Sequence, residues 1–223
     1  MKTLSKAFNL FFLALVLYFA FFWYNQIMRE KTLRKIIENL RAETRIAEVL
    51  VTDSHEDPAS GAAMTTIKFL EYDASGRPLP PRYFTFNGNV IQFQTLVIRF
   101  DDIYIEKADR LRGRSAYLFM KAFALSGEKT QEFDISETYS VPEGYKVAGA
   151  PVRFQREIWK RFWTYVLDPA ERSKLGIKNA QIEAPGSLFV PGTIYTLKIE
   201  HDGGLRIDAN PIPEILKGEK IDR

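Results

Sequence analysis

Three arginines stand close together in the middle of the chain, where they could bind an anionic ligand. Arg110, Arg112 and Arg114 place three guanidinium groups within five residues. Guanidinium groups pair well with phosphate oxygens, so a lipid headgroup or an acidic polymer is the ligand class to expect. The competing interpretation, which the sequence favours, is a solvated loop.

A second basic set lies within residues 152–167, which form the clearest helical pattern of the chain. Arg153, Arg156 and Lys160 are candidate contacts for an anionic ligand or a partner. Basic and aromatic residues on one helix are typical of a surface that binds a membrane or a partner. The alternative is a helix whose apolar face packs on the protein core while its basic face meets water. The sequence favours this core packing, on the basis of these apolar positions: Phe154, Ile158, Trp159, Phe162, Trp163 and Val166.

Histidines and paired carboxylates are the remaining candidates for chemistry. His55-Glu56-Asp57 could offer metal ligands, Asp101-Asp102 could share a cation or a proton, and His201-Asp202 could act in acid–base chemistry. Each lies in a polar loop or turn, where solvated side chains are the usual outcome. The chain has only two histidines and no cysteine, which excludes a three-histidine zinc site, a thiol nucleophile and disulfides. No catalytic residue, metal site or cofactor is therefore predicted.

Two Pro-Gly pairs, at 185–186 and 191–192, frame a short apolar segment. If Leu188 and Phe189 are exposed, they form a tip that suits contact with a partner. If they are buried, they close one end of the β domain. The sequence alone leaves both possibilities open.

The N-terminal part of the chain carries a concentration of aromatic side chains. Nine of the 30 aromatic residues fall within residues 7–24, and residues 7–28 contain no charge. About 20 helical residues span a hydrocarbon core of about 30 Å, so residues 1–28 are predicted to be a membrane anchor. Trp23 and Tyr24 suit the membrane interface. A cleaved signal peptide is the alternative, although no small-residue cleavage site follows the apolar run.

The orientation of this anchor follows from the flanking charges. Two lysines precede the apolar run and a larger set of mixed charges follows it. A literal count of positive charges favours a cytoplasmic body. The short N-terminal tail without acidic residues resembles an N-in signal anchor, and the preferred location of the body is therefore extracytoplasmic, in the periplasm.

Residues 29–51 contain no Gly or Pro and are predicted to continue as an amphipathic or coiled-coil stalk. Apolar positions spaced 4-3-4-3-4 form one seam, which could hold protomers together. The alternative is a helix packed on its own domain, and Val49-Leu50-Val51 could already be a strand. The seam residues are Leu33, Ile37, Leu40, Thr44, Ala47 and Val51.

Residues 52–210 are predicted to form a β-rich globular domain, followed by a tail at 211–223. Strands recur about every 8 to 12 residues with a single inserted helix, which favours an antiparallel barrel or sandwich. Asn87-Gly88 between two β-type segments predicts a hairpin. The apolar positions switch from odd to even across Gln94-Thr95, which predicts a β-bulge. Asp168-Pro169 predicts a capped second helix.

The functional expectation combines these elements. The favoured function is a single-pass, membrane-anchored, non-catalytic assembly or scaffold protein, oligomeric through residues 29–51, that contacts other membrane or envelope proteins. The alternative is a membrane-tethered module that binds lipid headgroups or an envelope polymer, and a hydrolase is third. The body carries a formal charge of only +1 beyond residue 28, which argues against nucleic acid as a partner.

Overall fold

A computed structural model describes most of the chain. The described residues are 11–25, 27, 45–58, 61–73, 76–100, 115–125, 130–147, 149–172, 177–199 and 204–214. The candidate contacts Arg110, Arg112 and Arg114 lie outside them, as do Asp101-Asp102, His201-Asp202 and the first four seam residues.

The described strands form two antiparallel sheets. The first has the order β10-β9-β1-β2-β3, and the second has the order β6-β5-β4-β7, with β8 also paired to β4. The predicted antiparallel β class is confirmed, and the described strands lie in two open sheets rather than one closed barrel. Helix α1 covers residues 11–25, and a 3₁₀ turn covers Glu143–Tyr145. The other elements are β1 Arg45–Glu56, β2 Ala63–Glu71, β3 Arg82–Asn87, β4 Val90–Phe100, β5 Ser115–Ala124, β6 Gln131–Asp134, α2 Val152–Leu167, α3 Pro169–Arg172, β7 Ile177–Glu183, β8 Gly186–Leu188, β9 Thr193–Ile199 and β10 Leu205–Pro211.

The two sheets share one apolar core. Alternate residues of each strand point inward, as a strand period of two requires. Phe69 of the first sheet stacks on Phe93 of the second at a centroid distance of 5.4 Å and meets Phe119 edge-on at 5.2 Å. These aromatic contacts hold the sheets face to face.

A second core lies on the other side of the second sheet, where α2 covers β4, β5 and β7. Trp159, Phe162, Trp163 and Val166 are buried there against Leu96 and neighbouring strand residues. The prediction that the apolar face of this helix packs on the β domain is confirmed. The domain is thus built of three layers, two sheets and a helix.

The hairpin prediction at Asn87-Gly88 is wrong. β3 pairs with β2 and β4 pairs with β5, so the two strands belong to different sheets. Gly88 has a φ of 94°, which a glycine adopts without strain. The Asn-Gly turn therefore passes the chain from one sheet to the other, because each strand finds its partners elsewhere.

The bulge that was predicted in β4 lies instead on the neighbouring strand β5. The register between β4 and β5 does shift at Gln94/Thr95, but Lys121 faces Gln94 and Phe119 faces Thr95, so the extra residue is Met120 on β5. The apolar positions of β4 switch for a different reason. Beyond Thr95 the strand is buried on both faces, with Val97 in the inter-sheet core and Leu96 beneath α2.

The prediction that the stalk helix extends to residue 51 is wrong for residues 45–51. Ala47 and Val51 lie in β1, where they face the inter-sheet core and are almost fully buried. β1 pairs with β2 on one side and β9 on the other. Because Ala47, Val49 and Val51 also alternate with period two, central strand pairing prevails over the weak helical repeat.

Residues 11–25 are helical, and their large apolar side chains are exposed, including Trp23 and Tyr24 at 63% and 62%. Among the described residues, no helix combines the length and apolarity needed to cross a bilayer.

Candidate functional site

The basic residues of α2 lie together on its outer face. Arg153, Arg156 and Lys160 are all exposed, and at 100° per residue they fall within about 60° of the helix circumference. In the described part of the chain, none of the three makes an ion pair, whereas Arg161 beside them pairs with Glu157 at 3.2 Å. The structure therefore brings these three predicted residues into one unpaired cationic stripe.

Contacts on the buried side of α2 set the direction of this stripe. Gln155 accepts a 2.8 Å hydrogen bond from the Val147 amide and donates to the carbonyl oxygens of Val147 and Ala150, at 3.0 and 2.9 Å. The indole of Trp163 donates to the Ser140 carbonyl at 2.9 Å. These directional bonds fix the rotation of the helix, so the stripe must face away from the sheet.

The two residues of the predicted partner-binding tip differ in exposure. Leu188 is 54% exposed, but Phe189 is 1% exposed and packs on Tyr195 at a centroid distance of 4.2 Å. Tyr195 secures the segment, because its hydroxyl donates to the Leu188 carbonyl and accepts from the Val190 amide, both at 2.8 Å. Phe189 therefore closes the inter-sheet core and is unavailable to a partner.

A cavity that sequence reasoning missed lies where β2 ends and β3 begins. Its volume is about 250 Å³. Its wall is mostly apolar and includes three consecutive residues of the proline-rich link between the two strands. The lining residues are Phe69, Glu71, Leu79, Pro80, Pro81, Arg82 and Glu143.

Glu71 is the unusual residue of this cavity. It follows Ile67 and Phe69 on the core-facing side of β2, and it pairs across the sheet with Ala47, which is fully buried. Burial raises the pKa of the Glu71 carboxyl from 4.5 to about 7; nearby Arg82 opposes this rise and Glu143 adds to it. Such a carboxyl changes charge near neutral pH.

The hydrogen-bond donors around Glu71 are engaged elsewhere. The Tyr145 hydroxyl donates to the Tyr117 carbonyl at 2.7 Å, and Arg82 donates to the Ile135 carbonyl. Lys146 pairs with Glu143. Within the described residues, the Glu71 carboxylate makes no hydrogen bond and no ion pair. Its negative charge does affect Tyr145: burial is the main cause of the raised pKa of Tyr145, and Glu71 raises that pKa further.

Comparison of the chain with protein-family models, with curated proteins and with solved structures finds no match.

One sequence signal could have indicated Glu71. It occupies the next alternate position after Ile67 and Phe69, so a strand period of two places a carboxylate on the apolar face. The partners that enclose it come from distant parts of the chain, including the turn at Glu143, and these no local pattern predicts.

Of the remaining candidate groups, His55-Glu56-Asp57 is the one that lies within the described residues. His55 Nδ1 contacts Asp53 Oδ2 at 2.8 Å in an exposed pair. No group of three metal-ligating side chains occurs among the residues that the structure describes. This pair fits an ordinary surface contact of the β1–β2 hairpin.

Proposed function

We propose that the protein is a membrane-anchored, non-catalytic binding module whose helix α2 contacts anionic lipid headgroups. The observation that carries the proposal is the unpaired cationic stripe formed by Arg153, Arg156 and Lys160 on one face of α2. A rigid helix that presents cations with no ion pair among the described residues is suited to a flat anionic surface.

The anchoring part of the proposal is supported by the N-terminal segment. Residues 7–28 are uncharged, and the helix at 11–25 exposes apolar side chains all round, a composition suited to lipid rather than water. In the proposed membrane topology, the β domain lies outside the cytoplasm and next to the outer leaflet of its membrane.

Binding of three cations to an anionic leaflet is expected to be weak, so the membrane anchor is needed to keep the domain at the surface. Each Lys or Arg close to an anionic leaflet contributes about 1 kcal/mol, so three give weak binding for a free domain. A domain held at the bilayer by its own anchor meets the surface at a high effective concentration. Weak contacts are then sufficient to orient the domain.

The absence of cysteine makes a direct test possible. Thr164, exposed on the same side of α2, is replaced by Cys in the full chain and labelled with a fluorophore. The chain is placed in nanodiscs containing a nitroxide-headgroup lipid, with either zwitterionic lipid alone or one quarter anionic lipid. We expect stronger quenching with anionic lipid, and a loss of the difference in about 1 M salt, where the screening length falls to about 3 Å.

Two variants with equal changes in net charge sharpen this test. Arg153→Gln, Arg156→Gln and Lys160→Gln together should abolish the lipid dependence of quenching. Arg77→Gln, Lys146→Gln and Lys178→Gln together should preserve it, because these residues lie off the helix. Equal quenching in both lipid compositions for the unaltered chain would refute the proposed contact.

A second candidate function is assembly with another copy of the chain. Val90 and Leu188 are paired neighbours on the α2 side of the second sheet, in a part that the helix leaves uncovered, and Ile182 on β7 is exposed on the same side. The strip reaches the open edge of this sheet, where a twofold axis can bring two such strips together. Light scattering of the solubilised chain should show a dimer that Val90→Ser with Leu188→Ser converts to a monomer; a monomeric unaltered chain would exclude this assembly.

A further inference from the structure

We propose that the cavity between the end of β2 and the start of β3 binds a primary ammonium group carried on a short alkyl chain, with the Glu71 carboxylate as its acceptor. This site is separate from the stripe on α2 and does not depend on the proposed lipid contact.

The position of Glu71 provides the first argument. A carboxylate at a core-facing strand position loses hydration, and an ionised group without water requires partners to be stable. Phe69 and Leu79 form part of the apolar surroundings of the carboxylate. An occupant that brings a charged donor would restore the hydrogen bonds that burial removes.

The second argument is that, in the part of the chain that the structure describes, no side chain donates a hydrogen bond to Glu71. Tyr145, Arg82 and Lys146 all lie near the cavity, and each donates to an acceptor other than Glu71. The charges facing Glu71 from the neighbouring elements are Arg82 on β3 and Glu143 on the 3₁₀ turn, with the neutral hydroxyl of Tyr145 behind them. With Lys146 paired to Glu143, the two cations and two carboxylates balance, and the Glu71 carboxylate is the one acceptor to which no described residue donates.

The shape of the cavity limits the ligand. A volume of about 250 Å³ lies just below the usual range of small-molecule pockets, about 300 to 1,000 Å³, so the site suits a ligand smaller than a drug-sized molecule. Leu79, Pro80 and Pro81 offer apolar contact to an alkyl chain. No group of three metal-ligating side chains occurs in the described residues, which favours an organic cation over a metal ion.

Gly144 keeps the cavity open on the side of the 3₁₀ turn. A Cβ at this position would lie 3.2 Å from Leu79 Cδ1 and 3.8 Å from Glu71 Oε1. Since Gly144 does not have a positive φ, alanine is compatible with its backbone. Gly144→Ala therefore narrows the site without altering the carboxylate.

The probe for the experiment is n-propylammonium chloride, titrated into the full chain in nanodiscs while amide resonances of Glu71 and Gly144 are followed by NMR. We expect saturable shifts at pH 8 with a millimolar dissociation constant. Sodium chloride of equal ionic strength and the neutral isostere 1-propanol should produce no saturable shift. Absence of shifts with n-propylammonium, or equal binding of 1-propanol, would overturn the proposal.

Three variants separate the roles of charge and shape. Glu71→Gln should weaken binding about tenfold or more, since a hydrogen bond to a charged acceptor is lost. Gly144→Ala should weaken it with the carboxylate intact. Glu132→Gln, which removes an exposed carboxylate on β6, should leave binding unchanged. Unaltered affinity in Glu71→Gln would show that the carboxylate is not the acceptor.

The pH dependence provides an independent readout. Because the pKa of Glu71 is about 7, most of the carboxyl is ionised at pH 8 and little at pH 6. Affinity for n-propylammonium should therefore fall about tenfold over this interval. An affinity that is constant between pH 8 and pH 6 contradicts binding to the ionised carboxylate.

Discussion

The Tyr145 hydroxyl donates a 2.7 Å hydrogen bond to the backbone carbonyl oxygen of Tyr117. This bond joins the 3₁₀ turn at Glu143–Tyr145 to β5 of the second sheet. It also engages the hydroxyl, and among the described residues the Glu71 carboxylate accepts no hydrogen bond. One buried contact thus both stabilises the fold and defines the candidate cation site.

Replacing Tyr145 with Phe should lower the free energy of unfolding by about 1 to 2 kcal/mol, because the Tyr117 carbonyl loses its buried partner. Chemical denaturation of the solubilised chain measures this change. Tyr139→Phe is the matched control, since Tyr139 is 49% exposed and should tolerate the loss of its hydroxyl. Equal stability of the two variants would show that the Tyr145 bond contributes nothing net.

The adjacent residues Leu188 and Phe189 should respond very differently to truncation. Phe189→Ala removes a ring buried against Phe93 and Tyr195, and should cost about 3 to 5 kcal/mol of stability. Leu188→Ala should change it by less than about 0.5 kcal/mol, because the side chain is exposed. Thermal or urea unfolding of both variants tests the orientation of this segment. The reverse ranking would mean that Leu188, not Phe189, enters the core.

Gln155 should be the most sensitive polar position of α2. Gln155→Ala removes three hydrogen bonds to the segment Val147–Ala150, and should lower the free energy of unfolding by about 2 to 4 kcal/mol. Thr164→Ala on the exposed side of the same helix is the control. Urea unfolding, followed by tryptophan fluorescence, reports on this helix through Trp159 and Trp163. A Gln155→Ala variant as stable as the control would rule out this role of the side chain.

Glu71 should make stability fall as the pH rises towards neutrality. Its pKa is raised from 4.5 to about 7 in the folded protein, so the folded state holds the proton more tightly than the unfolded state. The resulting stabilisation is complete below about pH 4.5 and is lost as the pH rises through 7. Glu71→Gln removes this dependence. Relative to the unaltered chain, the free energy of unfolding of Glu71→Gln should therefore increase by about 3 kcal/mol between pH 4.5 and pH 8, at about 1.4 kcal/mol per pH unit.

Urea unfolding at a series of pH values measures this difference. Glu132→Gln serves as the control, because its carboxyl is exposed and paired with Lys121. If the unaltered chain and Glu71→Gln keep a constant difference across the range, the carboxyl is not buried in the way that the structure describes.

Local patterns predicted much of the strand structure. β2 and β9 are rich in β-branched and aromatic residues, which fits the predicted series of short strands. The cap at Asp168 was also readable, and its Oδ1 accepts a 2.9 Å bond from the Ala170 amide. These features depend on neighbouring residues, so the sequence contains their physical cause.

Local patterns did not predict which strands pair with each other. The Asn87-Gly88 sequence is typical of a hairpin, yet β3 and β4 pair in different sheets. Ala47 and Val51 fit both a heptad seam and an alternating strand. In each case the distant strands that compete for pairing decide the outcome, and a local pattern does not include them.

By itself, the sequence determined the amphipathic face of α2, and therefore that Arg153, Arg156 and Lys160 would share its polar side. Only the tertiary structure decided that Phe189 is buried and that Glu71 lies in a cavity where no described residue donates to it. The physical reason is that a helix face follows from residues three and four apart. The surroundings of Glu71 come from Arg82, Glu143 and Tyr145, which are brought together only when the strands and the turn pack.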